Sequence, residues 1–79
     1  MKTSDIREGA TYRNRGTGIP TRKVLAIGDR HRPEIFRSAY PPPYEPGVLY
    51  EHLTGRSAGT RGSLYLSAFA RWAGSEVPE

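Results

Sequence analysis

The sequence contains no cysteine, and only two of its twelve basic residues are lysine. Without cysteine there are no disulfides, no thiolate nucleophile and few routes to a zinc site. The expected compartment is therefore the cytoplasm. No apolar run approaches the roughly 18 residues of a membrane span, and Met1-Lys2-Thr3-Ser4-Asp5 lacks the apolar stretch of a signal peptide. At 79 residues the chain has room for one domain. A second core and a doubly wound cofactor fold are excluded. A chain this short buries about 60% of its unfolded surface, so marginal stability is expected.

The charge that is present is unevenly placed. The net charge is +4, and Thr11 to Gly28 holds Arg13, Arg15, Arg22 and Lys23 without an acid, so this block accounts for the whole excess. Arginine outnumbers lysine ten to two. Guanidinium groups make planar, bidentate contacts and desolvate more cheaply than ammonium groups. Both features favour a binding surface. Arg30, Arg32 and Arg37 extend the block, diluted by Asp29 and Glu34.

Alternation and turn residues predict an all-β chain with one short C-terminal helix. Ile6 to Tyr12 is a lead-in with a glycine turn. Strands are expected at Thr11–Arg15 and Arg22–Ile27, joined through Gly16-Thr17-Gly18-Ile19-Pro20 as a hairpin. The second of these should be central, because Val24-Leu25-Ala26-Ile27 is the most continuous apolar stretch. Arg13 and Arg15 should project from one face, with Arg22 and Lys23 opposite them across the hairpin.

Gly28 to Pro46 reads as irregular, with a brief strand at Ile35 and Phe36. Within residues 40–47, Pro41-Pro42-Pro43 fixes a stiff extended loop. Further strands follow at Val48–Leu53 and Ser63–Leu66, flanking a glycine-rich loop from Gly55 to Gly62. Ser67 is the expected N-cap and Gly74 the C′ residue of a helix over Ala68–Ala73, with Phe69 and Trp72 on one face. Residues 75–79 read as a frayed tail. Four or five short strands in one domain over 1–79 fit a small closed barrel or a strongly bent antiparallel sheet.

The spacing Ile6-x-x-Gly9-x-x-Tyr12, followed by Val24-Leu25-x-Ile27, Val48-x-Tyr50 and Leu64-x-Leu66-x-x-Phe69, resembles the SH3-like small β-barrel. It is similar to short proteins encoded in phage and prophage genomes. The insertion from Tyr40 to Pro46 departs from that compact pattern. Small orphan proteins of this kind include anti-CRISPR proteins. The resemblance implies a non-enzymatic inhibitor, working in the host bacterial cytoplasm, that docks on a CRISPR effector and blocks DNA loading. Arg13, Arg15, Arg22, Lys23, Arg56 and Arg61 would meet acidic side chains, with Tyr40 or Tyr44 as an aromatic anchor.

Other motifs have simpler readings. His31 and His52 stand apart without companions at ligand spacing, so no metal site and no cofactor are expected. The serines lie in no nucleophile elbow, and catalysis is not expected. The Gly55–Gly62 loop lacks the Gly-Lys-Ser/Thr ending of a phosphate loop. Pro41-Pro42-Pro43-Tyr44 matches a WW-domain ligand and Pro43-x-x-Pro46 a minimal SH3 ligand, although a rigid loop packed on the domain explains both. Leu64, Leu66, Phe69 and Trp72 read as core, and a homodimer would add burial. Two other functions remain open: a direct DNA- or RNA-binding module in which the same arginines hold phosphates, and a small virion component.

Overall fold

A computed structural model describes residues 1–32 and 45–78. Strands β1 (Thr11–Asn14), β2 (Thr21–Gly28), β3 (Gly47–His52) and β4 (Arg61–Tyr65) are followed by helix α1 (Leu66–Trp72) and strand β5 (Ala73–Glu76). Short 3₁₀ turns occupy Thr3–Asp5 and Asp29–His31. The expected strand at Ile35 and Phe36, and Tyr40 to Tyr44 of the proline-rich loop, lie outside the described residues.

The five strands form one antiparallel sheet in the order β4-β3-β2-β1-β5. The apolar Val24–Ile27 stretch lies in the central strand, as its composition demands. β4 and β5 lie at opposite edges, about 19 Å apart if the sheet were flat. Yet α1 runs straight from β4 into β5, and its seven residues span only about 11 Å at helical rise. The sheet must therefore curl until one helix bridges its edges.

Two register shifts assist the curl. Between Val24 and Ala26 of β2, Leu25 is the extra residue opposite β3. Gly74 is the extra residue of β5 between Arg13 and Asn14 of β1. Bulges of this kind bend and twist a strand. The sheet does not close: among the described residues no ladder joins β4 to β5. The bent-sheet expectation holds and the closed barrel does not, because α1 occupies the seam and packs on both edges.

The concave face holds the core: Ile6, Tyr12, Val24, Val48, Tyr50, Phe69, Ala70 and Ala73. Phe69 stands at its centre. Its ring centroid lies 5.7 Å from that of Tyr12, 5.6 Å from Tyr50 and 5.4 Å from Trp72. These tilted and edge contacts avoid the face-to-face sandwich that the ring quadrupoles disfavour. Leu64, Leu66 and Trp72 are partly buried against the same cluster. The buried Tyr12 hydroxyl accepts from the Arg7 amide at 2.8 Å and donates to the Asp5 carbonyl at 2.7 Å, so the lead-in is pinned under the sheet.

Three local expectations change. Ser67 is not the N-cap; Tyr65 precedes the helix, and Ser67 lies within its first turn. The Glu45 carboxylate serves that turn instead, accepting from the Ser67 amide at 3.1 Å and its hydroxyl at 2.7 Å. A carboxylate there also complements the helix dipole. Gly74 follows the helix without adopting positive φ. It is needed for close approach, since a Cβ there would stand 2.6 Å from Arg15 Cα. Residues 75–78 are not a frayed tail: Ser75 and Glu76 belong to β5, and the Val77 amide donates to the Thr11 carbonyl at 2.8 Å. Glu79 lies outside the described residues.

Candidate functional site: an arginine-bearing end of the sheet

Antiparallel pairing brings the β1–β2 turn and the β3–β4 loop to the same end of the sheet. They are joined directly. The Leu53 amide donates to the Thr21 carbonyl at 3.1 Å, and the Thr21 amide donates to Thr54 Oγ1 at 3.0 Å. The C-terminus of α1 belongs to the same end. The Trp72 carbonyl accepts from the Arg15 amide at 2.9 Å and from Asn14 Nδ2 at 3.3 Å. Asn14 also shapes its turn, because its Oδ1 accepts from the Gly16 amide at 3.0 Å, a local bond that asparagine forms readily. Two loops far apart in sequence thus form one surface with the helix end.

Five of the expected basic residues lie on or near that surface. Arg15 and Arg56 are in the two loops. Arg13 and Lys23 stand on β1 and β2, and Arg61 opens β4. All five are exposed. Among the described residues their side chains have neither an ion-pair nor a hydrogen-bond partner. The ion pairs instead join Arg7 to Glu76 at 2.6 Å and Arg32 to Asp29 at 3.0 Å. Across the convex face, Lys23 and Arg61 flank Glu51 in register.

Arg22 departs from its expected position. The register pairs Arg13 with Thr21, Tyr12 with Arg22 and Thr11 with Lys23. Arg22 therefore shares the concave face with buried Tyr12 and does not stand opposite Arg13. Its guanidinium carbon lies 4.6 Å from the Tyr50 ring centroid and 4.2 Å from that of Trp72. Both are cation–π distances. The His52 ring meets Tyr50 edge-on at 5.2 Å, and His52 is the register partner of Arg22 on β3. Burial pushes the Arg22 guanidinium below its ordinary pKa, and the electrostatic effect of Tyr50 opposes that shift.

Tyr50, His52 and Trp72 were not expected as site residues. For Tyr50 and His52 the signal is the two-residue alternation along β2 and β3, which becomes meaningful only once the register sets Arg22 beside His52. Tyr40 and Tyr44, the expected aromatic anchors, lie outside the described residues. An open cleft of about 610 Å³ is lined by Arg7, Glu8, Thr11 and Glu76 among others, and includes none of the expected site residues. Among the described residues, no helix is long and apolar enough to cross a membrane. The chain matches no protein-family model, no curated protein and no solved structure.

Proposed function

We propose that this chain is a non-enzymatic binding protein whose arginine-bearing end engages nucleic acid directly. One observation carries the reading: five exposed basic side chains gather around two hydrogen-bonded loops, and among the described residues none of them is held in an ion pair. Like charges that share a surface repel one another, and salt screens that repulsion over a Debye length of about 8 Å. A phosphate backbone relieves that repulsion and releases counterions. Five phosphate contacts imply a salt slope of about −4.5 on duplex DNA, or about −3.5 on a single strand.

A second reading keeps the surface and changes the partner. In it, the protein comes from a phage or other mobile element and inhibits a host nucleic-acid-targeting complex, in the manner of an anti-CRISPR protein. The arginines then meet acidic side chains. Its supporting observation is that Ile19, 73% exposed, and Leu53, 40% exposed, sit in the same two loops. Two aliphatic side chains are a small centre for a protein interface, which usually takes about 20–30 residues a side. The nucleic-acid reading is therefore preferred.

Anisotropy titrations with a mixed-sequence duplex and its single strand, across a salt series, test the choice. Binding that weakens with a slope between about −3 and −5 supports direct engagement. No binding to either strand form at low salt, together with co-purification on a nucleoprotein complex that Ile19→Asp abolishes, overturns it in favour of the inhibitor.

A further inference from the structure

Among the described residues, Arg22 is a partly buried cation with no anion paired to it. The described chain contains six carboxylates, and five are committed elsewhere. Asp5 accepts from the Lys2 amide, Glu8 from the Ile27 amide and Glu45 from Ser67, while Asp29 pairs with Arg32 and Glu76 with Arg7. The sixth, Glu51, is paired in register with Lys23 on the opposite face of the sheet. No described residue accepts a hydrogen bond from the Arg22 side chain.

The arrangement leaves the guanidinium donors available. The guanidinium carbon lies over the rings of Tyr50 and Trp72, and ring faces attract the charge without giving its N–H groups the lone pairs they donate to. Arg22 also lies one residue inside the hydrogen-bonded junction at Thr21. The two rings hold the fork in place, so less side-chain freedom is lost when an anion binds.

We infer that Arg22 is a seat for one phosphate group, gripped by a guanidinium held over the rings of Tyr50 and Trp72. The inference rests on the nucleic-acid reading for its source of phosphate, the backbone of a bound strand. Free phosphate offers the same oxyanion and is the control source. A guanidinium fork donates two parallel hydrogen bonds to two phosphate oxygens at once, a geometry that an ammonium group in the same place does not offer.

Trp72 is the chain's single tryptophan and stacks on the residue in question, so its emission reports the seat. Wild type, Arg22→Met, Arg22→Lys and Arg56→Met are titrated with inorganic phosphate and with an oligothymidylate, against sodium chloride at equal ionic strength. Wild-type emission should change saturably with both ligands. Arg22→Met and Arg22→Lys should lose that response. In Arg22→Met, oligothymidylate affinity should fall about tenfold or more and the salt slope should shrink by about 0.7. Arg56→Met should weaken oligothymidylate binding and retain the emission change. Thermal melts identify variants that fail to fold, and Arg22→Lys decides the matter if Arg22→Met is one.

If a folded Arg22 variant binds oligothymidylate with wild-type affinity and slope, the seat is overturned while the nucleic-acid reading survives. If wild type ignores nucleic acid but responds to phosphate through Arg22, the seat survives and the nucleic-acid reading fails. No response of wild-type Trp72 to either ligand overturns the seat.

Discussion

The ring of Tyr50 on β3 lies across Gly62 on β4, so closely that a Cβ at position 62 would stand 2.7 Å from Tyr50 Oη and 2.9 Å from Cζ. The missing side chain lets the ring lie where Arg22 stacks on it. Gly62→Ala should push the ring away and cost about 1–3 kcal/mol by overpacking. A domain of this size loses about 4–8 °C in Tm per kcal/mol. Gly74→Ala should cost more, because its neighbour at 2.6 Å is the Arg15 backbone, which cannot rotate aside. Thermal melts should therefore rank wild type above Gly62→Ala, and Gly62→Ala above Gly74→Ala. The reverse order would refute the packing argument.

The Tyr12 hydroxyl supports the lead-in through two hydrogen bonds. Tyr12→Phe keeps the ring contact with Phe69 and strands the Arg7 amide and the Asp5 carbonyl. A loss of about 1–3 kcal/mol is expected, with faster hydrogen exchange at the Arg7 amide. Phe69→Ala removes the central ring and should cost about 3–5 kcal/mol. That approaches the whole stability of so small a domain, so its circular dichroism should show little folded protein at 37 °C. A cooperative melt near the wild-type Tm would contradict the central place given to Phe69.

Much of this architecture is legible from local patterns. Val24 to Ile27 marks the central strand by composition, and Phe69 and Trp72 mark a helix face by spacing. Polarity and turn residues locate the loops carrying Arg15 and Arg56. What local patterns miss depends on register and distant contacts. Arg22 looks like one more member of a basic block until pairing with Tyr12 sends it inward. Ser67 looks like a cap because Glu45, which serves the first helical turn, lies 22 residues away. Ser75 and Glu76 look frayed because their partners on β1 precede them by more than 60 residues. Whether the sheet closes depends on how α1 fits its seam, which strand alternation does not encode.

The two site loops are held side by side by a threonine hydroxyl. Thr54 Oγ1 accepts from the Thr21 amide at 3.0 Å at an exposed position. Thr54→Ala should change Tm little, since water can take the hydroxyl's place. Local order should change more than global stability. The Thr21 amide should exchange several times faster, while the Leu53 amide, bonded to the Thr21 carbonyl, retains its protection. Unchanged exchange at Thr21 would show that the loops are joined by other means.

Glu51 offers a test in which stability and binding move in opposite directions. It stands between Lys23 and Arg61 on the convex face, one register partner on each side. Cross-strand pairs of opposite charge contribute about 0.2–1 kcal/mol each. Glu51→Gln should therefore lower Tm slightly by removing the negative charge that stands between two cations. The same change removes a repulsive charge from the path of a phosphate backbone, so affinity for a DNA duplex should rise several-fold at low salt. That gain should fade as salt rises, because exposed charges are screened within about 8–10 Å at physiological ionic strength. Lys23→Gln and Arg61→Gln should each flatten the salt slope by about 0.9 if their side chains hold phosphates. If Glu51→Gln weakens binding or leaves it unchanged, and both cation variants keep the wild-type slope, the convex face lies outside the interface. Contact would then be confined to the loops carrying Arg15 and Arg56.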